Sequence, residues 1–518
     1  MRLPQLIGSI DKKLTQGLPD IEIADVAYDS RKVGAGSLFV AISGAKTDGH
    51  AYIHDAIRRG AKAVVVQNGF KLNSTPALSA YAQAGGLSII RVPNTRQALA
   101  CIASAYYGDI TRRLCLVGIT GTNGKTTTSY LVESILKTAG LSTGVIGTVN
   151  YRFGCEVLKA PFTTPESLEL QKLLRRMADQ KITHVVMEVS SHALDQERVG
   201  SCRFDVAVYT NLSRDHLDYH HDLGDYFHCK KRLFTTVLEG SRRVKRPYSV
   251  INIDDPWGRE LLKTQQGLPL TYGLRGHGAD ITARNTSFTL DGIEAEIVTP
   301  KGAFGLHSKL LGEYNLYNML AATGVGLALG LSCEVIKKGI EALSAVPGRM
   351  DRIENPCRAT VLVDYAHTPD ALEKVLSTVQ ALNPKRLISV FGCGGNRDQG
   401  KRPIMGRIAA QFSQIVIITS DNPREEDPLE IIRHIEEGIK ESPLRRVEPD
   451  GILNGPGEAG YVIMPDRREA IRLASRLARP GDAIVIAGKG HEDYQIVRGN
   501  ILSFDDRLEV RHAFGSLS

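Results

Sequence analysis

The sequence predicts an α/β protein built as three domains, and three observations carry that expectation. Short, strongly apolar runs that read as buried strands alternate with helical patterns along most of the chain. A glycine-rich turn ending in Gly-Lys-Thr lies between one such strand and a helix. Gly108 and the pair Pro347-Gly348 punctuate the chain, dividing the strand–helix units into three series. With 518 residues, 42% of them apolar, the chain is too long for one hydrophobic core and too apolar to be disordered. The expected boundaries are 1–110, 111–346 and 347–518.

The first series, residues 21–107, contains the strand-like runs SLFVAI, AKAVVV and SIIRV and ends in the helix TRQALACIASAYYG. It predicts a small N-terminal α/β domain. The second opens on the strand LCLVGIT and continues through HVVMEVS, FDVAVYTNL and YSVINID to the helical run LYNMLAATGVGLALGL. The third supplies ATVLVDYA, RLISVFGCGG, QIVIITSDNP, YVIMPD and DAIVIAGKG, each followed by a helical segment. Mostly parallel sheets follow from that alternation, and the third series reads as a Rossmann-like domain.

Lysine and arginine (64) exceed aspartate and glutamate (57), a net charge of +7 spread along the chain rather than gathered in runs. That distribution suits an enzyme handling phosphates and carboxylates and argues against a nucleic-acid binder. The eight cysteines form no C-x-x-C pair, so reduced thiols are expected. The first residues show no long apolar core and no small-residue cleavage site, and a cytoplasmic location is expected. The most apolar stretch, Met319 to Leu331, spans about 13 residues where roughly 20 would be needed to cross a bilayer, and it reads as a buried helix. No membrane partner is expected, and the chain is expected to be a monomer.

The turn Gly121-Thr122-Asn123-Gly124-Lys125-Thr126-Thr127 carries the first chemistry. Glycines let backbone N–H groups approach phosphate oxygens, a lysine neutralises them, a threonine hydroxyl can ligate Mg²⁺, and a helix N-terminus adds partial positive charge. The commonest phosphate-loop pattern has glycine where this chain has Ile119, but the strand–loop–helix context is intact. Alone, this loop says only that a nucleoside triphosphate binds.

Further motifs follow in order: Glu188-Val189-Ser190-Ser191-His192, Thr210 to Asp218 (TNLSRDHLD), Asn252-Ile253-Asp254-Asp255, Gly312-x-x-Asn315-x-x-Asn318, Pro347-Gly348-Arg349 and Asp364-Tyr365-Ala366-His367. Together with GTNGKT they resemble the Mur ligases, and their relative folylpolyglutamate synthetase, along essentially the whole chain. The resemblance implies an ATP-dependent, amide-bond-forming ligase. ATP phosphorylates a carboxylate, and an amine then attacks the acyl phosphate. It assigns Gly121 to Thr127, Asn315, Arg349, Asp364 and His367 to ATP, and Thr126, Glu188 and His216 to Mg²⁺. Lys230, in YFHCKKRLF, matches the position that the family carries as a carbamylated lysine; a carboxylate there suits a metal where an ammonium would repel it. Lys125, Glu188, His216 and Lys230 are thus the expected catalytic group.

The same resemblance implies the substrates. Asp29-Ser30-Arg31, the run Gly36 to Ala41 and Asp48-Gly49 are similar to the UDP-binding end of the ligases that add the third residue of the peptide. Ser30 and Tyr28 would meet the uridine diphosphate, with the contacts around Ala45-Lys46-Thr47 left open. Thr163, Thr164, Ser190, Gln196 and Arg198 would hold the muramoyl-dipeptide, Arg198 as a carboxylate or phosphate clamp. Three polar loops, carrying Arg397, Asp421-Asn422-Pro423-Arg424 and Gly488 to Glu492, follow strands of the third series, where ligands gather in parallel sheets. They resemble an amino-acid pocket in which Arg397 and Arg424 hold carboxylates, while Glu492 and the Gly488 backbone hold an amino group. The expected reaction joins meso-diaminopimelate to UDP-N-acetylmuramoyl-L-alanyl-D-glutamate in peptidoglycan synthesis. A lysine-adding ligase of the same family and a phosphate-loop kinase or ATPase remain as alternatives.

Overall fold

The computed structural model describes the chain except residues 45–46, 71–85, 217–218, 239–245, 277, 455–458 and 516–518. The motif positions Ala45, Lys46, Leu217 and Asp218 therefore lie outside the described residues. The chain divides into two compact units: Met1–Ala283 with Ile297–Phe304 and Tyr317–Gly339, and Arg284–Glu296 with Gly305–Leu316 and Ile340–Ser518.

The first unit holds two sheets. Five strands run in the order Lys13–Gln16, Ser88–Val92, Ala63–Gln67, Leu38–Val40, Val26–Ala27, all pairs parallel except the first. The helix Thr95–Tyr106 closes this sheet's core, and it starts where the sequence predicts because the Asn94 side chain accepts from the N–H groups of Arg96 and Gln97. The larger sheet has eight strands, in the order Leu268–Tyr272, Tyr248–Asn252, Val206–Tyr209, Cys115–Thr120, His184–Glu188, Thr143–Ile146, Asn150–Phe153, Glu156–Lys159. Its first six strands are parallel and the last two add an antiparallel hairpin. Cys115–Thr120 lies between His184–Glu188 and Val206–Tyr209, so Gly121, Glu188 and Thr210 meet at one edge, the carboxyl edge of the sheet.

The second unit is built on a six-stranded sheet: Asp351–Ile353, Thr360–Asp364, Ala483–Ala487, Leu387–Phe391, Ile415–Ile418, Gly460–Ile463, parallel apart from the first strand. Its parallel strands are buried and mostly apolar because both faces are covered. Ala483, Val485 and Ala487 enter the core beneath helices Pro369–Ala381, Lys401–Phe412 and Pro428–Ile439, while Ile484 and Ile486 enter the core on the other face with Arg467–Leu477 and Asp506–Gly515. At the carboxyl edge Arg467 is fully buried; its guanidinium takes both carboxylate oxygens of Asp506 at 2.7 Å and donates to the Ala487 carbonyl at 2.9 Å, where the strand hands over to Gly488. Removing one partner of such a buried pair costs about 3–5 kcal/mol.

The hairpin Asn150–Lys159, the three-stranded sheet Thr282–Ser308 and the hairpin Tyr494–Ser503 were not expected from the sequence. Among the described residues no helix is long and apolar enough to cross a membrane.

Candidate active site

The phosphate loop joins the strand Cys115–Thr120 to the helix Lys125–Thr138. Gly121 has φ +146°, and a Cβ there would lie 1.9 Å from the Thr210 hydroxyl, so only glycine passes the neighbouring loop. That loop holds the turn in shape: Asn211 accepts from the N–H groups of Thr122 (2.8 Å) and Asn123 (3.0 Å), and the Thr210 hydroxyl donates to the Asn123 carbonyl at 2.7 Å. Lys125 Nζ folds back over the turn onto the carbonyls of Gly121 (2.9 Å) and Thr122 (2.8 Å). Thr127 is buried behind it. Asn123 reaches Ser213 at 3.2 Å.

Thr126 points across to the next strand. Its hydroxyl donates to Glu188 Oε2 at 3.0 Å, and Glu188 is 1% exposed. Thr148 also binds this carboxylate, its N–H to Oε1 and its hydroxyl to Oε2, both at 2.9 Å. Gly147 leaves the space: a Cβ there would sit 2.4 Å from Glu188 Oε1. Sequence reasoning found Thr126 and Glu188 but missed Thr148, which lies in no recognised motif and forty residues from its partner. The hydroxyl of Thr148 meets that of Thr163 at 3.2 Å, and Thr164 ties the Glu188 carbonyl (2.8 Å) to the Ser190 N–H (3.2 Å). Converging hydroxyl and carboxylate oxygens are the donor set that Mg²⁺ prefers.

Lys230 enters from the helix Leu223–Thr235 and is 1% exposed. Its Nζ donates to the Gly121 carbonyl at 2.9 Å and lies 4.2 Å above the Tyr226 ring. Burial, and then the positive charge of Lys125, hold this amine's pKa well below the usual lysine range. His216 has a left-handed backbone, φ +54°, and is exposed; its ring packs edge-on against His192 at 5.0 Å and against Tyr226 at 6.1 Å. The structure thus brings Lys125, Thr126, Glu188 and Lys230 around one loop, with His216 reaching the group through the Tyr226 ring. Asn318, quoted in the sequence motif but given no role, faces the same loop: its Oδ1 accepts from Thr128 at 3.4 Å and lies 2.3 Å from where a Gly124 Cβ would be.

The residues expected to hold the muramoyl end form a polar strip on the same unit. Arg198 donates to the Thr164 carbonyl at 2.9 Å and to Gln196 at 2.8 Å, with Glu166 at 3.7 Å. Ser190 caps the helix Ser191–Asp195, accepting from Ala193, and Gln196 meets Tyr219 at 3.2 Å. In the N-terminal sheet, Asp29 caps the short turn Ser30–Lys32 and leaves Ser30 buried. The Tyr28 hydroxyl donates to Glu169 at 3.0 Å. Asp48-Gly49 takes a structural part here: Asp48 binds His50 Nδ1 at 2.7 Å, and His50 Nε2 accepts from the Gln67 N–H at 3.0 Å.

In the second unit, Asn422 is the hub of the expected amino-acid pocket. Its side chain donates to Glu492 at 2.9 Å and accepts from Lys489 (3.2 Å) and from the Ile496 N–H (2.9 Å). Lys489, fully buried and 3.1 Å from Glu492, was missed as a site residue because a lysine between two glycines looks like solvent-exposed loop. Arg424 is left-handed, φ +54°, clamped by the Tyr494–Val497 strand through its N–H to the Ile496 carbonyl, and its guanidinium donates to the Gly395 carbonyl at 2.9 Å. Glu426, two residues on, takes Arg402 at 2.8 Å. Among the described residues no carboxylate pairs with Arg424. Asp421 and Pro423 are buried and Arg397 is exposed. Gly488 donates its N–H to the Asp364 carbonyl at 3.1 Å. Both Asp364 carboxylate oxygens are occupied by the N–H groups of Met350 (2.7 Å) and Ala366 (2.8 Å), shaping the turns that carry Arg349 and His367. Arg349 lies 5.0 Å from the Tyr365 ring, and the Asn315 amide donates to the Leu311 carbonyl at 2.8 Å.

Three family models match in chain order: "Mur ligase family, catalytic domain" over 22–107, "Mur ligase middle domain" over 119–326 and "Mur ligase, glutamate ligase domain" over 348–490. A curated relative from Geobacter metallireducens, named UDP-N-acetylmuramoyl-L-alanyl-D-glutamate–2,6-diaminopimelate ligase, is 48% identical over 518 residues, covering 100% of this chain and 99% of its own. The chain belongs to the Mur ligase family. A protein of the same name from Geobacter sulfurreducens is 48% identical over 516 residues, again covering 100% and 99%. A solved structure carrying that name superposes with a TM-score of 0.70 at 33% identity, covering 100% of this chain and 99% of the other. The fold extends to a MurF ligase from Thermotoga maritima in complex with ADP, TM-score 0.58 at 18% identity, covering 95% and 97%. As a Mur ligase, the chain is an ATP-dependent enzyme that forms an amide bond. Family membership removes the kinase and transport-ATPase readings left open by the phosphate loop alone.

Proposed function

We propose that this Mur ligase adds meso-diaminopimelate to UDP-N-acetylmuramoyl-L-alanyl-D-glutamate, in the cytoplasm, as a step of peptidoglycan synthesis. The observation that carries the substrate assignment is the 48% identity, end to end, with relatives named for that reaction. Segments 1–110, 111–346 and 347–518 would serve the UDP end, ATP and the incoming amino acid.

In this reading the acceptor carboxylate takes the γ-phosphoryl group of ATP, releasing ADP. The amine of the incoming amino acid then attacks the acyl phosphate, and inorganic phosphate leaves as the amide forms. Both steps concentrate negative charge, which Lys125 and the N–H groups at the start of its helix neutralise. Thr126 and Glu188, with Thr148 fixing the carboxylate, would hold Mg²⁺, which when bound screens the phosphate charge. The low proton affinity of Lys230 supports carbamylation: the neutral amine adds CO₂ and loses a proton, leaving a carboxylate on a long arm. His216 would orient groups near that arm. Tyr28, Ser30, Thr163, Thr164, Ser190, Gln196 and Arg198 would bind the UDP-muramoyl-dipeptide. Asn315, Arg349, Asp364 and His367 belong to the ATP assignment, Asp364 and Asn315 by shaping backbone. Arg397, Arg424, the Asp421–Pro423 turn, Gly488 and Glu492 would bind diaminopimelate.

The test is product mass: incubation with ATP, UDP-muramoyl-dipeptide and meso-diaminopimelate should give ADP and a product heavier by one diaminopimelate residue. Release of ADP without that product would overturn the reading.

A further inference from the structure

Beside the phosphate loop, on the same helix as Lys230, stands a group of side chains that the ligase reaction does not use. Asp225 and Cys229 are four residues apart on the helix Leu223–Thr235 and so share a face. Against them lies the buried His220, whose Nδ1 is 3.5 Å from Asp225 Oδ2 and 3.8 Å from Cys229 Sγ. The three ligand atoms all fall within 4.8 Å of one another. Tetrahedral zinc, with bonds of about 2.3 Å to sulfur and 2.0 Å to nitrogen or oxygen, separates sulfur from nitrogen by about 3.6 Å and nitrogen from oxygen by about 3.3 Å. The two spacings from His220 Nδ1 agree with these to within a few tenths of an ångström, and the sulfur-to-carboxylate spacing, within 4.8 Å, would close by rotation of the half-exposed Asp225 side chain.

The ring is already aimed. His220 Nε2 bonds the Ser191 hydroxyl at 3.0 Å, which fixes the imidazole and leaves Nδ1 facing the thiol and the carboxylate. Asp195 Oδ1, 4.0 Å from Cys229 Sγ, adds a second carboxylate beside the sulfur. The Asp225 side chain is 44% exposed whereas His220 and Cys229 are buried, so the group opens to solvent over Asp225. We propose that His220, Asp225 and Cys229 form a binding site for a divalent cation of the zinc class, separate from the residues assigned to Mg²⁺. A thiolate, an imidazole and a carboxylate select such an ion, while Mg²⁺ takes oxygen ligands. Binding releases the thiol proton, and a solvent water fills the remaining position. Because Cys229 immediately precedes Lys230, the bound ion cross-links the helix turn that carries Lys230 to the segment bearing His220.

Co²⁺ titrated into the full-length protein at saturating Mg²⁺ tests this. The wild type should develop a thiolate-to-cobalt charge-transfer absorption that saturates at a single equivalent and disappears when Zn²⁺ is added. Cys229→Ala should lose the band, and Asp225→Asn, an exposed and mild change, should weaken Co²⁺ binding by at least about tenfold. Unchanged thermal unfolding of Asp225→Asn shows that its loss is not misfolding. No charge-transfer band in the wild type, or a band that survives both substitutions, would overturn the site.

Discussion

Lys125 and Lys230 donate to one and the same acceptor, the carbonyl oxygen of Gly121, each across 2.9 Å. Two ammonium groups so placed are less than about 6 Å apart and, at an effective dielectric constant near 20, repel by about 3 kcal/mol. Lys230, being buried, is the one that gives way, and its pKa is held well below the ordinary value. The proposed carbamylation would turn this repulsion into attraction. Lys230→Ala should therefore lower kcat by at least about 10²-fold, the size seen when one preorganised electrostatic group is lost, and a small added carboxylic acid should restore part of it. Unaltered turnover in the unrescued variant would remove Lys230 from the mechanism.

In the proposed mechanism Lys125 and Thr126 act on the phosphoryl group, whereas the UDP end is assigned to Tyr28 and Ser30, which follow the strand Val26–Ala27. Lys125→Ala and Thr126→Ala should each reduce kcat by about 10²–10³-fold while calorimetry finds UDP-muramoyl-dipeptide affinity nearly unchanged. Collapse of that affinity in both variants would contradict the division.

How much of this could be read from sequence differs between the two units. The phosphate loop was legible because strand, turn and helix are contiguous, and Glu188 because it opens the motif Glu188 to His192 at the end of a strand-like run; its pairing opposite Ile119 came only with the structure. Thr148 was not, and Asn318 and Lys489 were quoted in motifs without a role, since each matters through a partner distant in sequence or through burial that composition does not reveal. The parallel sheets were legible from uninterrupted apolar runs. The strands of Thr282–Ser308 were not, because Thr282–Thr289 is largely exposed and polar and carries no apolar alternation. Arg424 was picked out by its loop, but its left-handed backbone and its grip on Gly395 come from packing against Tyr494–Val497.

His491 gives a pH prediction. Burial, with Arg349 and Arg507 nearby, holds its pKa at about 4 instead of 6.5, and its Nδ1 is buried with no hydrogen-bond partner among the described residues. The folded state therefore binds fewer protons than the unfolded state between those values, and stability falls as pH drops from 6.5 towards 4. The loss attributable to this group is at most about 3 kcal/mol, at 1.36 kcal/mol per pKa unit. In His491→Gln, urea midpoints measured at pH 7 and pH 4.5 should differ by less than in the wild type, and an equal difference would show that His491 is not responsible.

Arg424 is the residue assigned to amino-acid choice, because meso-diaminopimelate and L-lysine differ by one distal carboxylate. A guanidinium can take that carboxylate in a bidentate pair, and a site built for a polar group rejects an analogue lacking it by on the order of 10⁴-fold. Arg424→Ala should lose most diaminopimelate activity and most of the discrimination. An undiminished preference in the variant would move the selector elsewhere, with Arg397 the next residue to change.

The identity of the amino acid joined decides between the diaminopimelate-adding and lysine-adding readings. It is tested most directly by ADP release from the wild-type enzyme with ATP, Mg²⁺ and UDP-N-acetylmuramoyl-L-alanyl-D-glutamate, comparing kcat/KM for meso-diaminopimelate and L-lysine. Sustained turnover with meso-diaminopimelate is expected, with a kcat/KM for L-lysine lower by on the order of 10⁴-fold. Equal or preferential use of L-lysine, or ADP release that needs neither amino acid, would contradict it.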